Sequence, residues 1–98
     1  MKISVIIPAF NEEQAIGHVV SNIPKHLNAQ VIVCNNGSTD NTAAVAQKQG
    51  AIVLTENQKG YGYACLKGIS YLKNQPIPPD VVVFIDGDYS DYPEEMPL

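Results

Sequence analysis

The chain has 98 residues, a formal net charge of -4 and a hydrophobic fraction of 45%. That length suits one domain with a core, and it is short for an α/β enzyme with both a donor and an acceptor site. The acidic balance argues against a nucleic-acid partner or an anionic membrane surface, and the absence of arginine excludes a guanidinium clamp on phosphate.

An apolar, β-branched run opens the chain, and residues 3–7 are predicted to form a strand buried on both faces. Asn11 offers a helix N-cap, with Gln14 at the spacing of a capping box. Pro24 is expected to end or bend this helix. Its apolar face is predicted from residues at helical spacing, namely Ile16, Val19, Val20, Ile23 and Leu27.

The next unit repeats this order. Residues 31–34 are predicted to form a second strand, and the polar turn 35–40 ends in residues typical of helix caps. A second helix is expected over residues 43–49, with Gly50 just past its end. Residues 51–54 then form a third predicted strand.

The last unit begins at the Gly60-Tyr61-Gly62 turn, which opens a third helix with Cys65, Ile69 and Leu72 on one face. A proline-rich connector leads to residues 81–85, the most apolar predicted strand. Three successive βαβ units predict an α/β fold with an open, doubly wound, mostly parallel sheet. In such sheets ligands bind outside the carboxyl ends of the strands.

The cysteines and histidines indicate no site of their own. Cys34 and Cys65 are predicted to be small buried thiols in a reducing cytosol, and His18 and His26 to be surface residues. We see no signal peptide and no apolar run long enough to span a bilayer, so a cytoplasmic location is expected.

The acidic turn Asp86-Gly87-Asp88 follows the fourth predicted strand. Two carboxylates at this spacing, separated by a glycine, suit a hard divalent cation, Mg²⁺ or Mn²⁺, that bridges to substrate phosphates. The alternative is an acidic turn that stays solvated. Ser90 and Asp91 offer a further oxygen ligand or a helix cap.

Three weaker polar segments are predicted at the same edge of the sheet. In residues 8–13, Pro8 and Ala9 offer contacts to a nucleobase, Phe10 a flat wall and Glu12 a hydroxyl acceptor. In residues 35–40, Asn36 can pair with a base edge. Residues 59–62 present Lys59 and backbone N–H groups to a phosphate. Taken alone, each segment is better explained as a turn or a helix cap, and the case for a site is their convergence.

Together these four blocks resemble family 2 glycosyltransferases, most closely the branch of dolichyl- and polyprenyl-phosphate sugar synthases. The resemblance rests on residues 5–13, 31–40 and 83–88, and on the 59–62 turn with Ala64 and Gly68. It implies the nucleotide-binding, N-terminal half of a GT-A fold. Residues 1–98 would then form a single nucleotide-sugar-binding domain of a truncated glycosyltransferase.

The resemblance also implies residue roles around a UDP- or GDP-sugar. Pro8, Ala9 and Glu12 would line the nucleoside pocket, and Asn36, where relatives often have Asp, would face the base. The resemblance further implies Lys59 and Gly60 beside the nucleotide, Asp86 near the ribose or metal, and Asp88 as the principal metal ligand. Ser90 is a weaker metal-side ligand than the Gln of some relatives.

The family's acceptor-binding half and catalytic acid lie beyond the matched segment, so no catalytic residue is assigned in this chain. Inverting sugar transfer to a polyprenyl phosphate or a saccharide is the expected activity of the family, and the isolated chain is expected to be inactive. The alternative is a non-catalytic nucleotide-binding or self-associating module, a homo-oligomer through the truncated sheet edge. A dinucleotide-binding dehydrogenase is disfavoured, because no glycine-rich turn follows the first strand.

Overall fold

The computed structural model describes residues 1–87 of the chain, in which four strands alternate with three α-helices. The predicted ligands Asp88 and Ser90, with Asp91, lie outside these residues. A 3-10 turn, Lys25–Leu27, follows the first helix. The elements are β1 Ile3–Ala9, α1 Ile16–Ser21, β2 Gln30–Asn35, α2 Thr42–Lys48, β3 Ile52–Thr55, α3 Tyr61–Lys73 and β4 Val81–Phe84.

The four strands form one parallel sheet in the order β3-β2-β1-β4. The order reverses at β1, since the chain adds β2 and β3 on one side and then crosses back to add β4 on the other. This arrangement confirms the predicted α/β class and the open, doubly wound sheet. It also places a topological switch point between the carboxyl ends of β1 and β4, where a ligand site is expected.

Helices cover both faces of the sheet and create two separate cores. On one face α1 and α2 pack on alternate residues of the central strands, including Val5, Ile7 and Val33. On the other face α3 packs on Ile6 and Ile32. Because both faces of β1 are covered, every residue of that strand is buried, as its continuous apolar run predicts.

Helix α3 lies unusually close to the sheet at Gly68. A Cβ at this position would stand 2.9 Å from Ile6 Cγ2 and 3.1 Å from Cys34 Sγ, closer than carbon and sulfur atoms pack. The buried face of α3 consists of Ala64, Gly68 and Leu72, while Cys65 and Ile69, two of the three predicted, are only half-buried. Small residues, rather than the largest apolar ones, therefore set how closely this helix approaches.

Strand β4, the most apolar of the predicted strands, is less buried than β1. Val82 and Phe84 are 39% and 43% exposed, whereas Val81 and Val83 are partly covered. In the described part of the chain β4 lies at the edge of the sheet, where α3 does not extend over its outer face. The apolar composition of β4 indicates a strand. How far that strand is buried depends on which helix packs on it.

The first helix also begins later than predicted, at Ile16 instead of just after Asn11. Asn11 has a positive φ of 51°, and the backbone N–H groups of Glu12 and Glu13 donate to side chains of the loop that follows β2. Those tertiary hydrogen bonds replace the predicted capping box. Among residues 1–87 no helix is long and apolar enough to cross a membrane.

Strand β1 continues through Pro8, although proline cannot donate a hydrogen bond to a neighbouring strand. Ile6 O accepts a bond from Ile85 N, and Ala9 O accepts one from Asn36 N, so alternate residues face β4 and β2. Pro8 therefore faces the side of β4, beyond the last paired residue of that strand. The parallel ladder would next run from the N–H of residue 8 to Ile85 O, which proline cannot supply, and the pairing of β1 with β4 ends at Phe84.

Candidate functional site

A cleft of about 300 Å³ opens at the carboxyl ends of β1, β2 and β4. It brings together five of the seven residues assigned to donor binding from the sequence. All four predicted segments contribute to its lining, and they do so at the switch point of the sheet. The lining residues are Pro8, Ala9, Phe10, Glu12, Asn36, Tyr61, Ala64, Asp86 and Gly87.

The base of this cleft is a close contact between two backbone segments. A Cβ on Gly87 would lie 3.1 Å from Pro8 O and 3.2 Å from Ala9 Cβ. A larger residue at position 87 would thus push the acidic turn away from the end of β1. The glycine keeps Asp86 next to Pro8 and Ala9, on the same wall.

Glu12 is held at the cleft by the loop after β2. Its backbone N–H donates to Thr42 Oγ1 over 2.8 Å, while Asn11 N donates to Ser38 Oγ over 2.9 Å. Asn11 Oδ1 in turn accepts the N–H of Thr39 at 2.9 Å. The polar residues read from the sequence as stock turn chemistry thus act between two loops and fix the backbone that carries Glu12.

Asp40 is the acidic member of this loop contact. Its carboxylate accepts hydrogen bonds from the Thr42 hydroxyl, from Thr42 N at 2.9 Å and from Glu13 N at 3.3 Å. These bonds, the Thr42 hydroxyl first, lower the pKa of Asp40 from its ordinary value of 3.8 because they favour the charged form. The loop after β1 is therefore held most firmly when Asp40 is ionised.

The Asn36 side chain is buried, with 8% of its surface exposed, and it is engaged by the loop between β3 and α3. Its Nδ2 donates to Glu56 O at 3.2 Å and to Gln58 O at 2.8 Å. Its Oδ1 accepts the N–H of Gly60 at 2.9 Å. Asn36 borders the cleft, and the polar atoms of its amide are bonded to the backbone of that loop.

Lys59 and Gly60 do not line the cleft. The Lys59 Nζ stands 5.7 Å from the centre of the Phe10 ring, in cation–π range, and Phe10 is itself a wall residue. Gly60 has a φ of 136°, and its N–H is taken by Asn36. Lys59 is thus placed at the rim, while Gly60 contributes backbone geometry.

Tyr61 is a wall residue that sequence reasoning did not assign. Partial burial, followed by the neighbouring Cys65 and Asp86, raises the pKa of its hydroxyl, which hydrogen-bonds to Asp86. The sequence signal for Tyr61 was a tyrosine in the first turn of a helix, directly after Gly60, at the carboxyl edge of the sheet.

Burial also raises the pKa of the Cys34 thiol, to about 11.

Only one of the two predicted metal ligands lies within the described residues. Asp86 lies on the cleft wall, and its partner Asp88 falls outside the described residues. Within residues 1–87 no three His, Cys, Asp or Glu side chains converge as a metal-binding group. The Asp86 carboxylate, which the close contact of Gly87 with β1 keeps at the cleft, fits one side of a divalent cation site.

A larger cleft, of about 360 Å³, lies at the opposite end of the sheet. Its wall contains Val31 and Ile52, near the amino ends of β2 and β3, and Lys25 is its charged residue. None of the predicted site residues borders it. Size alone thus favours the wrong end of the sheet, whereas convergent polar groups favour the carboxyl end.

Comparison with known proteins shows the family of the chain. The model of the family described as Glycosyl transferase family 2 matches residues 4–98 of this chain. The chain belongs to that family, and its fold is the nucleotide-binding half of a GT-A domain. The resemblance stated from the four sequence blocks is therefore confirmed at the level of the family.

The curated relatives include 4,4'-diaponeurosporenoate glycosyltransferases of Staphylococcus aureus. The protein of strain MRSA252 is 40% identical over 93 residues, which cover 88% of this chain and 24% of that protein. The protein of strain USA300 matches with the same identity and coverage. The chain thus spans about a quarter of the length of the curated relatives it matches.

Among solved structures, glucosyl-3-phosphoglycerate synthase of Mycobacterium tuberculosis superimposes with a TM-score of 0.74 at 32% identity, covering 89% of this chain and 34% of the synthase. One structure of that enzyme holds Mn²⁺, UDP and phosphoglyceric acid, at the same TM-score and identity, over 88% of this chain and 32% of the synthase. Another holds Mg²⁺ and UDP, with a TM-score of 0.72. The predicted metals agree with the ions in those two enzyme structures.

Proposed function

We propose that this chain is the donor-binding part of an inverting glycosyltransferase and that it binds a UDP- or GDP-sugar together with a divalent metal ion. The observation that carries the proposal is the cleft at the switch point of the sheet. There Pro8, Ala9, Glu12, Asn36 and Asp86, assigned to the donor from sequence, lie on one wall. Family membership and the UDP complexes of the mycobacterial synthase support it.

The residue roles follow from where each side chain lies. Pro8, Ala9 and the half-exposed Phe10 offer an apolar surface for the nucleoside, and Glu12 offers a carboxylate to a hydroxyl group. Lys59 at the rim offers a positive charge to the diphosphate. Asp86, at the junction of the two strands, is placed to meet the ribose or the metal.

Mg²⁺ or Mn²⁺ would be held by Asp86 and Asp88 and would supply positive charge to the diphosphate leaving group. The chain itself has little to offer for that task. It contains no arginine, and among the described residues it is Lys59 that lies beside the cleft, over the Phe10 ring. This shortage of fixed positive charge is the reason to expect strong metal dependence of donor binding.

We propose the rest of the activity by family. Sugar transfer to a polyprenyl phosphate or to a saccharide, in the synthesis of a glycan or the cell envelope, would need an acceptor region and a catalytic base outside the matched quarter of the relatives. The staphylococcal relatives are named for 4,4'-diaponeurosporenoate, a carboxylate, so the lipid phosphate in this proposal is supported by the resemblance to polyprenyl-phosphate sugar synthases. A cytoplasmic location, at the inner face of the membrane, follows from that choice of substrates.

Isothermal titration of UDP, UDP-glucose, GDP and GDP-mannose, each with and without Mn²⁺, tests the donor site. We expect metal-dependent binding either of UDP and UDP-glucose or of GDP and GDP-mannose. We expect Asp86→Asn to weaken that binding about tenfold or more. Asp80→Asn is the matched control, because Asp80 precedes β4 and bonds Lys2 N at the far end of the same strand. Absence of metal-dependent binding to all four nucleotides would refute the donor site.

A second candidate function is self-association. It is favoured by the exposed apolar side chains of Val82 and Phe84 on the edge strand. In this case the chain would dimerise through β4, and Val82→Lys with Phe84→Lys would return it to a monomer. Sedimentation equilibrium at several concentrations separates the two candidates, because a chain that is monomeric throughout gives no support to the second.

A further inference from the structure

We propose that Asn36 is a positioning residue whose side-chain amide locks the loop between β3 and α3 and thereby sets Lys59 at the rim of the cleft. The inference rests on the proposed function for its last step, the use of Lys59 by the donor. Its first step, the lock, rests on hydrogen-bond geometry alone. The loop in question comprises residues 56–60.

The lock uses three hydrogen bonds from one buried side chain. Both N–H groups of the amide are occupied, because Nδ2 donates to the carbonyl oxygens of Glu56 and Gln58. The carbonyl of the amide accepts the N–H of Gly60. The Asn36 side chain thus bonds the first, middle and last residues of the loop. The backbone N–H of Asn36 also donates to Ala9 O in β1.

This pattern fixes which way the amide points. If Oδ1 and Nδ2 exchanged places, an oxygen would face two carbonyl oxygens and an NH₂ group would face an N–H. All three bonds would be lost at once. An aspartate at this position could still accept the N–H of Gly60, but it would set a carboxylate against the carbonyls of Glu56 and Gln58. Only an amide supplies both the two donors and the acceptor.

The locked loop carries Lys59 between two of the bonded residues, Gln58 and Gly60. Its ammonium group lies over the Phe10 ring, and Phe10 and Asn36 line the same cleft. No bond joins Asn36 to the Lys59 side chain, so any dependence of Lys59 on Asn36 must pass through the loop backbone. That separation makes the proposal testable by a mutant cycle.

Hydrogen–deuterium exchange tests the lock without any ligand. In Asn36→Asp the carboxylate keeps an acceptor for the Gly60 N–H but repels the carbonyl oxygens of Glu56 and Gln58. If the two lost donors hold the loop, the loop moves away from residue 36 and the Gly60 amide is expected to exchange about tenfold faster or more, while the amides of β1 and β2 keep their rates. Asn74→Asp is the matched control, because Asn74 donates one bond to Ser70 O at the exposed end of α3. Unchanged Gly60 exchange in a folded Asn36→Asp protein would overturn the proposal.

A neutral variant is needed in case the added charge of Asn36→Asp prevents folding. Asn36→Ser removes the reach to both carbonyls without adding a carboxylate, and it is expected to speed Gly60 exchange as well. Should both variants unfold, NMR of the unsubstituted chain decides. Nδ2 protons of Asn36 that exchange slowly with solvent support the lock, and Nδ2 protons that exchange as fast as those of the exposed Asn74 overturn it.

The functional step is tested by titrating UDP or GDP with Mn²⁺ into four proteins: the unsubstituted chain, Lys59→Ala, Asn36→Asp and the double variant. Lys59→Ala is expected to weaken binding about fivefold alone, and less than twofold once Asn36 is replaced. Strictly additive effects would overturn the positioning role. If the unsubstituted chain binds no nucleotide, the proposed function fails, while the exchange experiment still decides the lock.

Discussion

Strands β1 and β4 are parallel neighbours with similar apolar sequences, and their surroundings differ sharply. Ile6 and Phe84 stand opposite one another in the register of the two strands. Ile6 is completely buried, whereas Phe84 is 43% exposed. Since register partners in a parallel pair lie on the same face of the sheet, this difference cannot come from which way the side chains point.

The difference comes from the helices. On the face shared by Ile6 and Phe84, α3 packs over the central strands, with Gly68 against Ile6, and among the described residues Val82 and Phe84 of β4 are covered only in part. On the other face Val83 and Ile85 pack with the α1 and α2 core. The lesson is that an apolar run identifies a strand, and the placement of the helices decides how much of it is buried.

The largest predicted effects come from truncating Ile6 and Phe84, the two register partners, one at a time. Ile6→Ala should lower the free energy of unfolding by about 3 kcal/mol, because it leaves a cavity beneath α3. Phe84→Ala should lower it by about 1 kcal/mol, since that ring is largely in water already. Urea unfolding followed by circular dichroism measures both. Equal losses would contradict the difference in burial between the strands.

A smaller contrast comes from placing a hydroxyl in each strand. Val5→Thr is expected to lower the free energy of unfolding by about 2 kcal/mol, because Val5 is fully buried and the new hydroxyl would have to find a partner in an apolar core. Val82→Thr should change it by about 0.5 kcal/mol or less. Thermal unfolding of the two variants side by side checks this, and a matching cost in β4 would show that its outer face is covered in solution.

The approach of α3 to β1 is tested with two glycines of the same helix. Gly68→Ala should lower the free energy of unfolding by about 1 kcal/mol, because overpacking against Ile6 outweighs the gain in helix propensity. A Cβ at Gly62 meets no atom within 4 Å, so Gly62→Ala should raise stability by about 0.5 kcal/mol. Stabilisation by both substitutions would mean that α3 packs more loosely than described.

The smallest effect concerns the loop that continues β1. Because the pKa of Asp40 is lowered in the folded chain, its carboxylate stabilises the fold above the ordinary value of 3.8, and this contribution is lost as pH falls through the lowered pKa. Asp40→Asn should therefore be less stable than the unsubstituted chain at pH 7, and the gap should shrink towards pH 3. Urea unfolding at both pH values measures it, with a constant gap as the contrary result.

Much of the candidate site could be read from sequence, because strand order and polar turns follow local rules. Pro8, Ala9, Glu12, Asn36 and Asp86 were placed at one edge, and they line one cleft. The position of Lys59 outside the cleft wall, the bonded amide of Asn36 and the contribution of Tyr61 were not predicted. Each of these depends on a contact between segments far apart in the chain, which no local pattern encodes.

By itself, the sequence determined the class of fold, the parallel order of βαβ units, the family and the edge of the sheet that carries the site. It did so through alternation of apolar runs, turn residues and helix periodicity, all of which act over short distances. The tertiary structure decided the rest: that α1 begins at Ile16, that β4 is half-exposed, and that the Asn36 amide holds the loop bearing Lys59. These features arise from hydrogen bonds and packing between distant segments, which exist only once the sheet has formed.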